Sequence, residues 1–192
     1  GVTNITNEAK MKENMSEKIE FPEGFNFDIQ GSTFNLKNNG KEIKRTFNIR
    51  VINAEKSGNS LVLSAKNGTK NQRKVINTII AHLKNMVKGL QEDFVYKLEV
   101  AYVHFPVTSE INKEKKEVYI KNFLGEKRPR IAKIIPGAEI QIEKNIITVS
   151  SHDKEIAGQM AANLEKATKI KNRDRRKFQD GIFITEKSGR KI

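Results

Sequence analysis

The 192-residue chain has no cysteine and no tryptophan, only four prolines, and 7% aromatic residues. Without cysteine no disulfide forms, and no thiolate serves as nucleophile or metal ligand. No run of 18 apolar residues occurs, so no membrane-spanning helix is expected. The first residues are polar and mixed in charge, unlike a secretory signal. Acidic residues are also scarce: 23 Asp and Glu stand against 36 Lys and Arg, a formal net charge of +13. At 31% charged, with Ile, Val and Phe regularly spaced, the chain is polar yet able to bury a core. The expectation is a soluble, intracellular protein with an anionic partner, no membrane, no cofactor and no small-molecule substrate.

Hydrophobic period organises what is present. Residues 1–17 show no usable period and read as an N-terminal extension. From Ile19 onward apolar residues alternate: Phe25, Phe27 and Ile29, then Phe34 and Leu36, then Ile43, Phe47, Ile49 and Val51, then Leu61 and Leu63. Turns at Gly31-Ser32, Lys37–Gly40 and Ser57–Ser60 separate them, which predicts an antiparallel sheet. The period then becomes helical. Val75, Ile76, Ile79, Ile80, Leu83, Met86, Val87 and Leu90 recur at three- and four-residue steps. Thr69 and Gln72 have capping-box spacing at its start, and Gly89 stands where a C-cap glycine belongs.

The pattern then restarts. Strands are expected at Leu98–Tyr102, 117–123, 128–134, 139–142 and 146–150, with a second helix over about 153–168. Leu61–Ala65 before one helix resembles Ile147–Ser151 before the other. The fold class is therefore α+β. Two tandem homologous domains are expected, each a small antiparallel sheet packed against one helix, followed by a basic C-terminal tail. The expected boundaries are 1–17 for the extension, 18–93 and 94–170 for the two domains, and 171–192 for the tail.

Catalysis is hard to build from these residues. His82, His104 and His152 lack metal-ligand spacing and read as ordinary polar or half-buried positions. No GxSxG, GxxxxGK[ST] or GxGxxG occurs, and Gly68-Thr69-Lys70 reads as a helix cap. Carboxylates alternate with lysines, as in Lys113–Glu117, in the manner of a solvated turn. Neither a catalytic residue nor a metal site is expected.

The basic clusters carry the information. Lys169 to Ile192 holds nine Lys and Arg against three acidic residues, among them Lys171, Arg173, Arg175, Arg176, Lys177, Arg190 and Lys191. A second cluster contains Lys127, Arg128, Arg130 and Lys133. A third, Lys70, Arg73 and Lys74, opposes the dipole at the first helix's N-terminus, which a nearby phosphate would reconcile. Arg presents planar, bidentate donors to phosphate, and a concentrated basic arm repels itself without an anion. Both helices are spent on packing, and no solvent-facing aromatic pair on a strand offers a stacking platform. Contacts to phosphate and sugar are therefore expected, suiting folded, A-form RNA.

His104-Phe105-Pro106, the NFLGEK segment at 122–127 and RDRRKFQDGIF at 173–183 follow Asn85–Leu90 and Tyr96-Lys97. Together they resemble the large-subunit ribosomal protein L-six family, called L-nine in eukaryotes, over about residues 19–192. They are more similar to its eukaryotic form than to the bacterial one. Gln179, Phe183 and the acidic Gln91–Asp93 link depart from the pattern.

The resemblance implies two homologous α+β domains and a structural, non-enzymatic role in the large subunit. It implies binding to rRNA near the sarcin–ricin loop and the factor-binding region, in support of translation. The neighbours would be other ribosomal proteins, including those of the stalk base. The setting would be the cytoplasmic ribosome, with nuclear or nucleolar assembly if the source is eukaryotic. The rRNA contacts it implies are Lys171, Arg173, Arg175, Arg176 and Lys177, then Arg128 and Arg130. A non-ribosomal module binding structured RNA is the alternative reading.

Overall fold

The computed structural model describes residues 14–188 and 190–192. The expected N-terminal extension lies outside the described residues as far as position 13, and its last residues, Met15 to Glu17, open a strand. The chain divides into two compact units, residues 1–87 and 88–192.

In the first unit, strands β1 (Met15–Glu20), β6 (Ser60–Ala65) and β5 (Asn53–Ser57) form one antiparallel sheet with β6 in the centre. The meander β2 (Asn26–Gln30), β3 (Thr33–Asn38) and β4 (Lys41–Thr46) forms another. Register places Phe27 opposite Leu36 and Leu36 opposite Ile43. Alternation therefore puts one buried row across all three strands. Ile49 and Val51 were expected to continue β4. The strand instead ends at Thr46, Val51 is exposed, and Ile52 is buried in their place.

Helix α1 (Lys70–Gln91) buries Ile76, Ile79, Leu83 and Met86 along the expected stripe. The His82 ring lies 5.7 Å from that of Phe47. Its capping box is formed in both directions: Gln72 N–H donates to Thr69 Oγ1 (3.2 Å), and Thr69 N–H donates to Gln72 Oε1 (3.0 Å). Gly89, expected as a C-cap, lies inside the helix. A Cβ there would sit 1.9 Å from the His152 carbonyl oxygen. Close approach of two backbones, not helix termination, requires glycine at this position.

The second unit repeats the element order. β7 (Phe94–Ala101), β12 (Ile146–Ser151) and β11 (Glu139–Glu143) take the roles of β1, β6 and β5. β8 (Thr108–Asn112), β9 (Glu117–Lys121) and β10 (Arg130–Lys133) take those of the meander. Helix α2 (Lys154–Ala167) packs on β7, β12 and β10. Asp153 caps it by accepting the Glu155 N–H at 2.9 Å. Ala157, Met160, Ala161 and Leu164 are buried against Leu98, Val100, Ile147 and Val149.

The chain end departs from expectation. Within the expected basic tail, 171–192, β13 (Gly181–Lys187) pairs antiparallel with β7, and β14 (Arg190–Lys191) pairs with β13. Ile182 is buried under α2 within the core cluster. Apolar alternation at Ile182 and Ile184 drives this pairing despite the flanking charge.

Candidate nucleic-acid interface

The segment between α2 and β13 carries the densest cationic cluster, and the fold fixes both of its ends. At the α2 end, Thr168 accepts the Ile182 N–H on Oγ1 (2.9 Å) and donates to the Glu165 carbonyl oxygen (3.2 Å). Glu165 Oε1 accepts the Ile184 N–H at 2.8 Å. The side chains of Glu165, in α2, and Thr168, its C-cap, thus bond the backbone of β13 and tie the two ends of the loop together. Within it Asp174 shapes a turn. Its carboxylate accepts the Arg176 N–H (2.9 Å), and its carbonyl accepts those of Lys177 (3.1 Å) and Phe178 (2.9 Å). The result turns Arg175, Arg176 and Lys177 into solvent, Arg176 with 93% of its side chain exposed.

Phe178 anchors the loop. The Arg173 guanidinium lies 4.9 Å from its ring centre, and the His104 ring stacks on it at 5.1 Å. His104 Nδ1 lies 3.3 Å from Oδ1 of Asp180, a carboxylate only 1% exposed. His104, expected as an ordinary polar position, joins the loop to the segment after β7.

A second loop, 122–129, adjoins the first. Asn122 and Leu124 adopt left-handed φ values of 59° and 52°, and Gly125 one of 73°. Asn122 Nδ2 donates to the Pro106 carbonyl (2.9 Å), and a Cβ on Gly125 would meet the Phe105 ring at 3.2 Å. The NFLGEK and His104-Phe105-Pro106 segments therefore hold each other. Arg130 makes the main connection. Its Nε and Nη2 donate to the two Glu126 carboxylate oxygens at 2.9 and 2.7 Å. Its Nη1 donates to the carbonyls of Ala167 (3.2 Å) and Lys169 (3.0 Å), and the guanidinium covers the Phe123 ring at 4.5 Å. Bidentate bonding from Arg130, assisted by the charge of Arg173, holds the Glu126 carboxyl below the usual carboxylate range.

Of the twelve residues expected from sequence, eleven fall into three groups and Arg130 stands apart. Lys127, Arg128, Lys171, Arg173, Arg175, Arg176 and Lys177 are exposed on these two loops of the second unit, which Arg130 and Glu126 draw together. Arg190 and Lys191 are exposed on β14, at one end of the five-stranded sheet. Lys70 and Arg73 are exposed on the first turn of α1, in the first unit. Arg130 differs from the rest. Its guanidinium is spent on Glu126 and the end of α2, with 24% of its side chain exposed. It positions the surface instead of offering itself to a phosphate. Lys169, at the start of the loop and exposed, belongs with the displayed cations. Exposed aromatic residues also went unseen in the sequence, Phe183 on β13 among them. The signal was the apolar run Ile182-Phe183-Ile184, obscured by the charges around it.

Among the described residues no group of His, Cys, Asp and Glu could hold a metal ion, and no helix is long and apolar enough to cross a membrane. Fold and surface together define a class: a two-unit α+β scaffold that presents cations on ordered loops. Comparison with known proteins makes the assignment particular. A family model described as Ribosomal protein L6 matches residues 105–181. The large ribosomal subunit protein uL6 of Methanococcus vannielii is 40% identical over 174 residues, 91% of this chain and 94% of that protein. Those of Methanosarcina mazei and Aeropyrum pernix are 39% and 40% identical, over 93% and 89% of this chain and 100% and 93% of theirs. The chain belongs to this ribosomal protein family. The family is structural, and the chain is not an enzyme. The eukaryotic form suggested by the motifs is a finer assignment than these matches make.

Proposed function

We propose that the chain is a structural constituent of the large ribosomal subunit that binds rRNA and so supports translation. Near-full-length similarity to proteins named for that subunit carries the proposal. The second unit supports it physically. Arg175, Arg176 and Lys177 stand outward on a turn that Asp174 and Phe178 hold in shape. Preformed cations bind phosphate with little ordering cost. In the finer reading, the two loops of the second unit contact rRNA near the sarcin–ricin loop and the factor-binding region. Neighbouring proteins include those of the stalk base, and Lys70 and Arg73 add phosphate contacts from the first unit.

Sedimentation of cell lysate through sucrose gradients at low and high salt tests the assignment. Co-migration with the large subunit at both is the expected result. Migration as a free protein, or loss at moderate salt, overturns an integral ribosomal role.

A further inference from the structure

The segment joining β7 to β8 turns apolar side chains into solvent. Tyr102, Val103 and Phe105 are 40%, 78% and 46% exposed, and Pro106 is exposed beside them. Single exposed apolar residues are ordinary; a run of them on one loop marks a contact surface. The run is also held in place. His104 is tied to Asp180 and to the Phe178 ring, and the Pro106 carbonyl accepts the Asn122 side-chain amide. Apolar residues fixed in water add nothing to the stability of the free protein.

Phe105 has a flat face to offer. Three of its ring atoms lie 3.2, 3.3 and 3.5 Å from the place of a Gly125 Cβ. Distances so nearly equal put Gly125 over one face of the ring and not beyond its edge. Glycine, with φ 73°, lets the backbone come this close. The exposed area of Phe105 therefore belongs to its opposite face and rim.

Cations flank this ridge on both sides. Lys127 and Arg128 follow Gly125 on one loop, and on the other Arg173 covers the Phe178 ring on which His104 stacks. Each carboxylate of the two flanking loops is already engaged. Glu126 is bonded to Arg130, Asp174 holds its own turn, and Asp180 is buried. The ridge thus fits a planar apolar group bordered by negative charge. An unpaired nucleotide carries both. A protein partner would have to bring apolar side chains ringed by acids.

We propose that the Tyr102–Phe105 ridge stacks against unpaired bases of the bound rRNA. Phe105 takes one base on its open face, and Lys127, Arg128 and Arg173 receive the adjoining phosphates. No base type is selected, because every base has a π-face. The inference rests on the rRNA-binding reading and adds base contact to a surface otherwise expected to meet only phosphate and sugar.

Binding of the full chain to protein-free large-subunit rRNA, measured across salt concentrations, tests it. Phe105→Leu should weaken binding about tenfold. The slope of log affinity against log salt should not change, because no phosphate contact is lost. Phe105→Tyr should keep the affinity, since it keeps the ring. Unchanged affinity in Phe105→Leu overturns the proposal and leaves rRNA binding intact. Equal weakening in both variants also overturns it, by making the ring a packing element. Ultraviolet cross-linking of large subunits carrying the unaltered chain gives a second reading that requires no variant to fold. A nucleotide adduct on Tyr102 or Phe105, within the tryptic peptide 98–113, is expected. Nucleotide adducts elsewhere in the chain with none on that peptide, or a link from it to a neighbouring protein, would sink the stacking role. Failure of the unaltered chain to bind rRNA would instead defeat the rRNA-binding reading and this inference together.

Discussion

The two units run the same element order but spend their aromatic residues differently. In the first, Phe21, Phe27, Phe34 and Phe47 form a continuous series of ring contacts inside the core, ending at His82. In the second, the centre is largely aliphatic, while Tyr102, Phe105 and Phe183 reach the surface. The edges differ too. Among the described residues β1 pairs only with β6, whereas its counterpart β7 holds β12 on one side and β13 on the other. The added strand brings the chain end back onto the core and so closes the basic segment into an ordered loop. A repeated scaffold supplies two cores, and one strand added to the second copy turns a charge-rich segment into a surface of defined shape.

The strongest way to break the comparison is at Gly89, where the last turn of α1 meets the His152 backbone within the second unit. Gly89→Ala gains about 1 kcal/mol of helix propensity. The new methyl, 1.9 Å from a carbonyl oxygen, costs more, about 3 kcal/mol or above. Urea unfolding should show the transition of the second unit falling to lower denaturant, with that of the first retained. A net stabilisation would mean that the two backbones separate easily.

Arg130 separates scaffold from surface inside the second unit. Arg130→Ala removes the bidentate pair with Glu126 and both carbonyl bonds at the end of α2. Charge-assisted hydrogen bonds of this kind predict a loss of about 2 kcal/mol in thermal or urea unfolding. Arg128→Ala, two residues away and exposed, should leave stability unchanged and weaken RNA binding. Equal stability losses in the two variants would refute the division of labour.

The displayed cations predict an effect on binding without an effect on folding. Arg175→Ala with Arg176→Ala should reduce the slope of log affinity for large-subunit rRNA against log salt by about 2. The thermal midpoint should not move, because Arg175 is exposed and Arg176 has only a 3.8 Å contact with Asp174. A matching loss of thermal stability in the free protein would place these residues in the scaffold.

The sequence made the scaffold legible where period and burial agree. Both helices, the meander rows and the capping box follow from spacing alone. Strands β5 and β8 escaped because their sequences, NAEKS and TSEIN, lack a continuous apolar alternation. β13 escaped for another reason: charge on both flanks drew Ile182 and Ile184 into a supposed tail. In the candidate interface, residue type located the cations, and the resemblance ranked them. Neither could show that Arg130 faces inward, because its partners at Ala167 and Lys169 are 37 and 39 residues away. Tertiary contact decides that role, and no local pattern encodes it.

The smallest effect separates the units by acid. Glu42 in the first and Glu126 in the second both have carboxyl groups held below their ordinary range. For Glu42 the main cause is the Asn35 side-chain amide, which donates at 2.6 Å, with Lys37 and Lys44 assisting. For Glu126 it is the Arg130 bidentate bond, with Arg173 assisting. In each case the folded state favours the charged carboxylate. The resulting stability is present above the unfolded Glu value, about 4.3, and is lost as pH falls through the lower folded value. Glu42 and Glu126 are about equally exposed, but the lysines beside Glu42 are far more exposed than Arg130, so water and salt screen the Glu42 interactions more. Protonating Glu126 also weakens the bidentate bond to Arg130, leaving the guanidinium its bonds to the Ala167 and Lys169 carbonyls. Glu126→Gln should therefore flatten the acid limb of stability for the second unit below about pH 4.3, and still do so at high salt. Glu42→Gln should change the first unit's acid limb at low salt only. Thermal midpoints measured across that pH range at two ionic strengths decide it. A Glu126 effect abolished by salt would reduce the clamp to a surface ion pair, and the ordered loop would then depend on the Phe178 stack and the Thr168 and Glu165 bonds alone.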